Sequence, residues 1–196
     1  MKLILSFAFI SLCAFSNLVF AYQKGDYLFK IGVVTVEPDG DGALDGALQV
    51  DSNSQLGLTL TYMLSDNLGL NVLAATPFTH DITLGGTKIA ETSHLPPTVT
   101  LQYHFNTSGY LIPYIGAGIN YTAFFDEKSS LGDLSLDSSV GLALEAGING
   151  NINEKWGWNA SVWYADIDTD ATLDGAALDT VEIDPWVYLL AAVYKS

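Results

Sequence analysis

The alternation of apolar and polar residues is the feature that most constrains what this chain can fold into. From residue 26 onwards, stretches of about ten residues are apolar at every second position, and short turns alternate with long polar connections between them. Between residues 56 and 64, leucine and tyrosine side chains share one face, while Gly57, Thr59 and Thr61 share the other. This pattern is typical of a closed transmembrane β-barrel, whose outer face contacts lipid.

The pattern predicts an all-β fold, an eight-stranded antiparallel transmembrane β-barrel, with short periplasmic turns and four long extracellular loops. The strands are predicted at residues 26–36, 56–64, 68–76, 98–105, 112–125, 138–152, 155–167 and 181–194. Aromatic pairs near strand ends indicate girdles at the membrane interfaces. These pairs are Tyr103 with Phe105, Phe124 with Phe125, and Trp156 with Trp158.

The first twenty-one residues have the composition of an export signal. Lys2 supplies a positive start, an apolar core follows, and Val19-Phe20-Ala21 fits the small-x-small cleavage pattern. We therefore expect a signal peptide at residues 1–21 and an outer membrane β-barrel domain at residues 22–196, with an uncleaved helical anchor as the alternative. Cys13 is the only cysteine and would leave with the signal, so the exported part would hold no disulfide.

The charge balance excludes nucleic-acid binding. The chain has 7 lysine and arginine residues against 22 aspartate and glutamate residues, none of the 7 is arginine, and the formal net charge is −15. Phosphate backbones would be repelled by such a chain. A hydrophobic share of 49% and a mean hydropathy of +0.27 are high for so acidic a protein, which indicates that charged and apolar surfaces occupy separate zones.

A soluble barrel of the lipocalin kind is the main structural alternative. It would show the same alternation with the faces reversed, apolar inside and polar outside. The alternation of short and long connections, and the leucine, tyrosine and tryptophan on the proposed outer face, favour the membrane barrel. The opposite face carries the polar side chains that would line the lumen: Lys30, Gln102, His104, Glu145 and Asn149.

Several segments, in order along almost the whole exported chain, resemble the outer membrane protein W family of small Gram-negative barrels. They cover residues 73–78, 94–98, 113–121, 161–169 and 184–187. The resemblance implies an eight-stranded outer membrane barrel. We expect a monomer or weak homo-oligomer whose partners are outer membrane lipid, lipopolysaccharide and small hydrophobic solutes. The resemblance also implies a narrow, largely apolar interior associated with uptake of small hydrophobic molecules and with stress responses, and no enzymatic activity. The family commonly ends in an aromatic residue, whereas this chain ends Tyr194-Lys195-Ser196.

Two bulky apolar residues fall on faces that should point into the lumen. Leu73 shares a face with Asn71 and Ala75, and Trp163 shares a face with Asn159. Such a pair could block water while letting an apolar solute pass, which makes Leu73 and Trp163 gate candidates. The alternative is that they only pack the interior of a barrel just wide enough to be filled by side chains.

The acidic residues invite a calcium interpretation, which the spacing does not support. Asp166, Asp168 and Asp170 alternate along one segment, but Ala171 and Ala177 stand where a calcium loop needs glycine and glutamate. Solvated carboxylates are the better interpretation, and contact with divalent cations that bridge lipopolysaccharide is the alternative. We predict no metal site.

The sequence offers little for catalysis or for a cofactor. His80 and Asp81 are adjacent and His94 follows in the same predicted loop, but the chain has 3 histidines and no G-x-S-x-G element. We predict no catalytic residue, no cofactor and no enzymatic activity. Two functions remain: a passive conduit for small hydrophobic solutes, or a non-transporting structural or receptor-type barrel that presents its long extracellular loops.

Overall fold

The structure is a computed structural model that describes residues 22–38, 48–105 and 110–196. The predicted signal peptide, residues 1–21, lies outside the described residues. Among the described residues, no helix is long and apolar enough to cross a membrane. The strands are β1 Tyr27–Glu37, β2 Leu48–Val50, β3 Asn53–Met63, β4 Leu68–Ala75, β5 Phe78–Leu84, β6 Thr87–Leu95, β7 Thr98–His104, β8 Leu111–Ser129, β9 Leu134–Leu136, β10 Ser139–Asn151, β11 Trp156–Ala165, β12 Asp168–Leu173, β13 Ala176–Glu182 and β14 Trp186–Lys195.

Eight of these strands close into a barrel. Its order is β1, β3, β4, β7, β8, β10, β11 and β14, and every neighbouring pair is antiparallel. β14 pairs with β1, where Phe29 lies opposite Tyr194 and Val33 lies opposite Leu190. The predicted eight-stranded antiparallel barrel is therefore confirmed, and its closed ladder satisfies the backbone hydrogen bonds of each spanning strand within the protein.

Side chains alternate between an apolar exterior and a buried interior along the barrel strands. On β1, Ile31 and Val33 are 52% and 59% exposed, whereas Lys30 and Val34 are 2% and 1% exposed. The other barrel strands follow the same alternation, with leucine, tyrosine and tryptophan on the outside. A continuous apolar surface of this kind suits lipid rather than water.

Short turns and both ends of the described chain lie at one end of the barrel, called here the turn end. In the β3–β4 turn, the Leu64 N–H donates to the Leu68 carbonyl oxygen at 2.8 Å. In the β10–β11 turn, Asn153 Oδ1 accepts from the backbone N–H of Trp156 at 2.9 Å. Tyr22 is 2% exposed and its ring meets His104 edge-to-face at 5.2 Å, so this residue caps the interior.

The long connections at the opposite end, the loop end, fold into an extension of the barrel. β5 and β6 form a hairpin that adds to the upper part of β8, and β2 pairs with β5. β12 and β13 form a second hairpin, with β9 as a third strand. The first hairpin reverses at Gly85 and Gly86, whose φ angles of 56° and 80° favour glycine. Sequence reasoning treated these segments as loops because their strands are short and rich in polar residues and glycine.

The last barrel strand begins later than predicted. Val181 belongs to β13, and β14 starts only at Trp186, not at residue 181. The chain is interrupted between them by Asp184, which has a φ of 39°, and by Pro185, which has no N–H to give to a ladder.

Candidate functional site

Polar side chains fill the middle of the interior. Below them, at the turn end, lies a small buried apolar cluster, formed by Tyr22, Leu28, Met63, Ile112 and Val193. Glu145 accepts hydrogen bonds from Thr100 Oγ1 and Gln102 Nε2, both at 2.6 Å. Lys30 Nζ lies 3.4 Å from the Tyr114 hydroxyl oxygen and 4.8 Å from the centre of the Tyr114 ring. These side chains come from β1, β7, β8 and β10, so they join opposite walls of the barrel.

The same polar layer continues towards the turn end. His104 Nε2 lies 3.1 Å from Gln102 Oε1. Asn159 Nδ2 donates to Asn149 Oδ1 at 2.8 Å and lies 3.0 Å from the Tyr114 hydroxyl oxygen. Each of the five polar residues predicted in the lumen is at most 4% exposed. The structure thus brings Lys30, Gln102, His104, Glu145 and Asn149 into one hydrogen-bonded layer that occupies the interior.

An apolar layer lies above the polar one, nearer the loop end. Leu73 and Trp163 are 5% and 3% exposed and belong to one buried cluster, and the Trp163 indole N–H donates to Ser161 Oγ at 3.3 Å. The sequence pointed to these two residues and missed the rest of the cluster. The other members are Val34, Val36, Phe78, Val187, Leu189 and Ala191.

Two cavities follow at the loop end. The lower cavity has a volume of about 20 Å³, and Leu73, Phe78, His94 and Trp163 are among its lining residues. The upper cavity, of about 190 Å³, lies between the two hairpins and is lined mainly by their apolar side chains, including Ile82. Its other lining residues include Ile89, Leu134, Leu136, Leu173, Leu178, Val181 and Ile183. The hairpins therefore enclose an apolar space directly above the barrel interior.

Two histidines from the β5–β6 hairpin meet in the wall of this space. The Nε2 atoms of His80 and His94 are 3.0 Å apart, and His80 Nδ1 lies 2.6 Å from the backbone carbonyl oxygen of Asp51. The His94 ring also packs on Phe78 and Phe124, with ring centres 5.4 and 5.9 Å away.

Both imidazoles are neutral at neutral pH. Burial and, to a smaller extent, the neighbouring His80 together lower the pKa of His94 to about 3. Burial also lowers the pKa of His80, against the opposing effect of Asp51. The sequence placed these histidines in one loop, but only the hairpin register brings them together.

The prediction that Phe124 belongs to an interfacial girdle is wrong. Phe124 lines the upper cavity and contacts His94. β8 continues to Ser129, four residues beyond the predicted strand, so its alternation also continues and keeps Phe124 on the inward face with Asn120 and Thr122. Tyr103, Phe105, Trp156 and Trp158 are exposed at the turn end, as a girdle requires.

The aspartates that meet in the structure are not the three that alternate along the sequence. Carboxylate oxygens of Asp166, Asp168 and Asp184 lie within 4.8 Å of one another, whereas Asp170 accepts a hydrogen bond from Thr180. Desolvation and then the charges of Asp166 and Asp184 raise the pKa of Asp168. Asp184 accepts hydrogen bonds from the Ile167 N–H and the Tyr164 hydroxyl, both at 3.0 Å. These bonds give Asp184 a structural role at the start of β14.

Comparisons with known proteins agree on one family. The OmpW family profile matches residues 23–196. Outer membrane protein W of Vibrio cholerae serotype O1 is 46% identical over 198 residues, covering 90% of this chain and 91% of that protein. Outer membrane protein W of Escherichia coli K12 is 45% identical over 196 residues, 92% of each chain. The crystal structure of OprG from Pseudomonas aeruginosa superposes with a TM-score of 0.78 at 38% identity, covering 91% of this chain and 99% of that one.

Proposed function

Because this chain belongs to the OmpW family and is an outer membrane β-barrel, we propose that it forms a narrow, largely apolar passage for small hydrophobic molecules. The observation that carries this proposal is the upper cavity of about 190 Å³ between the two hairpins. A dry cavity of about 150 Å³ with an apolar lining binds benzene in another protein. Both the size and the lining therefore suit a small apolar solute.

The layers below the cavity suggest a route. An apolar solute would move from the upper cavity past Leu73 and Trp163, which we propose as the gate. The filled polar layer offers such a solute no favourable path to the turn end, since entry would break hydrogen bonds around Glu145 without replacing them. Exit sideways through the barrel wall into the lipid avoids that cost.

The name of one relative agrees with this chemistry. PahQ of Pseudomonas aeruginosa, called a dibenzothiophene metabolism operon protein, is 24% identical over 163 residues, 76% of this chain. Dibenzothiophene is an apolar aromatic molecule. By analogy, this chain would admit a compound of the same chemical class.

A non-transporting receptor-type barrel is the second candidate. It is favoured by the ordered hairpins at the loop end, whose outer surfaces carry charged groups such as the Lys88, Asp81 and Glu91 ion-pair cluster. In that case the interior layers serve only to pack the barrel.

Uptake of a fluorescent hydrophobic probe into liposomes that contain the folded chain separates the two candidates. The conduit predicts faster uptake than into protein-free liposomes, and Trp163→Ala raises the rate further because it removes the largest gate side chain. Trp186→Ala is the matched control, since this exposed tryptophan lies on the outer face and its loss should leave the rate unchanged. Uptake equal to that of empty liposomes contradicts transport. Equal uptake rates for Trp163→Ala and the parent chain contradict a role of Trp163 as a gate.

A further inference from the structure

Two residues that line the upper cavity each carry a buried polar atom without a hydrogen-bond partner. The atoms are His94 Nδ1 and Thr92 Oγ1, and both residues are 6% exposed. The two residues are two positions apart on β6, so they share one face of the strand. Buried polar atoms are nearly always hydrogen-bonded in folded proteins, so such a pair beside a cavity calls for an explanation.

The hydrogen-bond chain fixes which kind of group His94 Nδ1 offers. The Asp51 carbonyl oxygen can only accept, so His80 Nδ1 carries the proton in their 2.6 Å contact. In the neutral ring, His80 Nε2 is then an acceptor, and His94 Nε2 must donate across the 3.0 Å contact between the rings. His94 Nδ1 is consequently left as a bare acceptor. Burial lowers the pKa of both histidines, which keeps the rings in these neutral forms.

The position of His94 is suited to a solute in passage. His94 lines both cavities, whereas His80 lines only the upper one. The lower cavity, about 20 Å³, is large enough for one water-sized group, because roughly 10–15 Å³ suffices for a water molecule. A solute whose body fills the upper cavity can therefore place one small polar group next to His94.

We propose that this site selects small apolar molecules that carry one hydroxyl group, alcohols or phenols, over hydrocarbons of the same shape. The hydroxyl donates a hydrogen bond to His94 Nδ1, and the apolar body lies against Ile82, Phe124 and the second hairpin. A methyl ether or a ketone of similar shape has no donor and gains nothing from this acceptor. The inference rests on the proposed function and names its substrate class.

Binding of three matched probes to the full chain in lipid nanodiscs tests the proposal. The probes are 4-ethylphenol, ethylbenzene and 4-ethylanisole, with binding to empty nanodiscs subtracted for each. We expect 4-ethylphenol to bind about 3- to 10-fold more tightly than the other two, as one net hydrogen bond provides. The ¹⁵N resonance of His94 Nδ1 should shift on addition of 4-ethylphenol only.

Variants assign the preference to one atom. His94→Phe keeps an aromatic ring but removes the acceptor, so the three probes should bind it alike. Thr92→Val is the matched control, because it removes the other unpaired atom with little change in shape and should keep the preference. A preference lost in Thr92→Val but kept in His94→Phe would overturn the assignment to His94.

The outcomes also separate this inference from the proposed function. Equal binding of all three probes to the parent chain refutes the hydroxyl selection and leaves an apolar passage intact. Binding of no probe above the level of empty nanodiscs refutes both. The ¹⁵N measurement is made on the parent chain, so the test does not depend on whether His94→Phe folds.

Discussion

Glu145→Leu should strongly destabilise the barrel. Glu145 is 4% exposed, accepts two hydrogen bonds of 2.6 Å, and attracts the buried Lys30 across the interior. The leucine leaves Thr100 and Gln102 without their acceptor and Lys30 without its compensating charge. The polar layer would then hold unpaired groups that water cannot easily reach.

The magnitude follows from those losses. Removing one partner of a buried ion pair costs about 3–5 kcal/mol, which is an upper bound here because Lys30 Nζ contacts the Tyr114 hydroxyl and only attracts Glu145 from a distance. Each orphaned buried donor costs about 1–3 kcal/mol. These terms overlap, because the same carboxylate serves all three partners. We therefore expect the free energy of unfolding to fall by about 4 kcal/mol or more, and by about 1–3 kcal/mol in Glu145→Gln, which keeps an acceptor oxygen.

Reversible urea unfolding in phospholipid vesicles, followed by tryptophan fluorescence, measures both values. The double variant Lys30→Met with Glu145→Leu is the sharpest control. It also removes the lysine charge that Glu145→Leu leaves uncompensated, so it should recover more than half of the lost free energy of unfolding. A cost below about 1 kcal/mol for Glu145→Leu would refute the reasoning, since the layer would then not depend on this carboxylate. Equal costs for the single and double variants would show that Lys30 is not the stranded group.

Two further predictions concern the barrel wall and the histidine pair. Gly118→Ala should prevent closure of the barrel or lower its free energy of unfolding by more than about 3 kcal/mol, because a Cβ there would overlap the backbone carbonyl oxygen of Val99. The folded band on an unboiled detergent gel should then be lost. The control Ala117→Val, on the outward face, should keep that band. Acid should loosen the β5–β6 hairpin, since the folded-state pKa of His94 is about 3 and an unfolded histidine titrates near 6.5. The unfolded chain binds more protons between those values, so stability is complete above about pH 6.5 and falls as the pH drops towards 3. Amide hydrogen exchange of the hairpin should accelerate over that range in the parent chain and much less in His94→Phe, and a parent hairpin insensitive to pH would contradict the expectation.

The barrel could be predicted from the sequence because a membrane strand separates its two faces at every second residue. That separation was enough to place Lys30, Gln102 and Glu145 inside, and Ile31 and Val33 outside. It also placed Leu73 and Trp163 on inward faces, although their role as a gate stays a prediction.

The upper cavity could not be predicted in the same way. Its walls are short strands rich in polar residues, and the meeting of His80 with His94 depends on a register set by the Gly85-Gly86 reversal and by the irregularity between Ile82 and Thr83. The alternation of Phe78, His80 and Ile82 was a usable signal, as was its continuation on β8 as far as Phe124. The first signal was masked by the assumption that a long polar segment has no strands. The second lay within the predicted strand at residues 112–125 and was missed because Phe124 was assigned to a girdle from its place near the strand end.

The walls of the upper cavity belong to two different sheets. β5 and β6 continue the barrel sheet, whereas β9, β12 and β13 form a sheet of their own. In the described part of the chain, no ladder joins the two, so the gap between them can widen or narrow without breaking a barrel hydrogen bond. The width of the space between the two hairpins is therefore not set by a backbone ladder, whereas the diameter of the cylinder beneath it is.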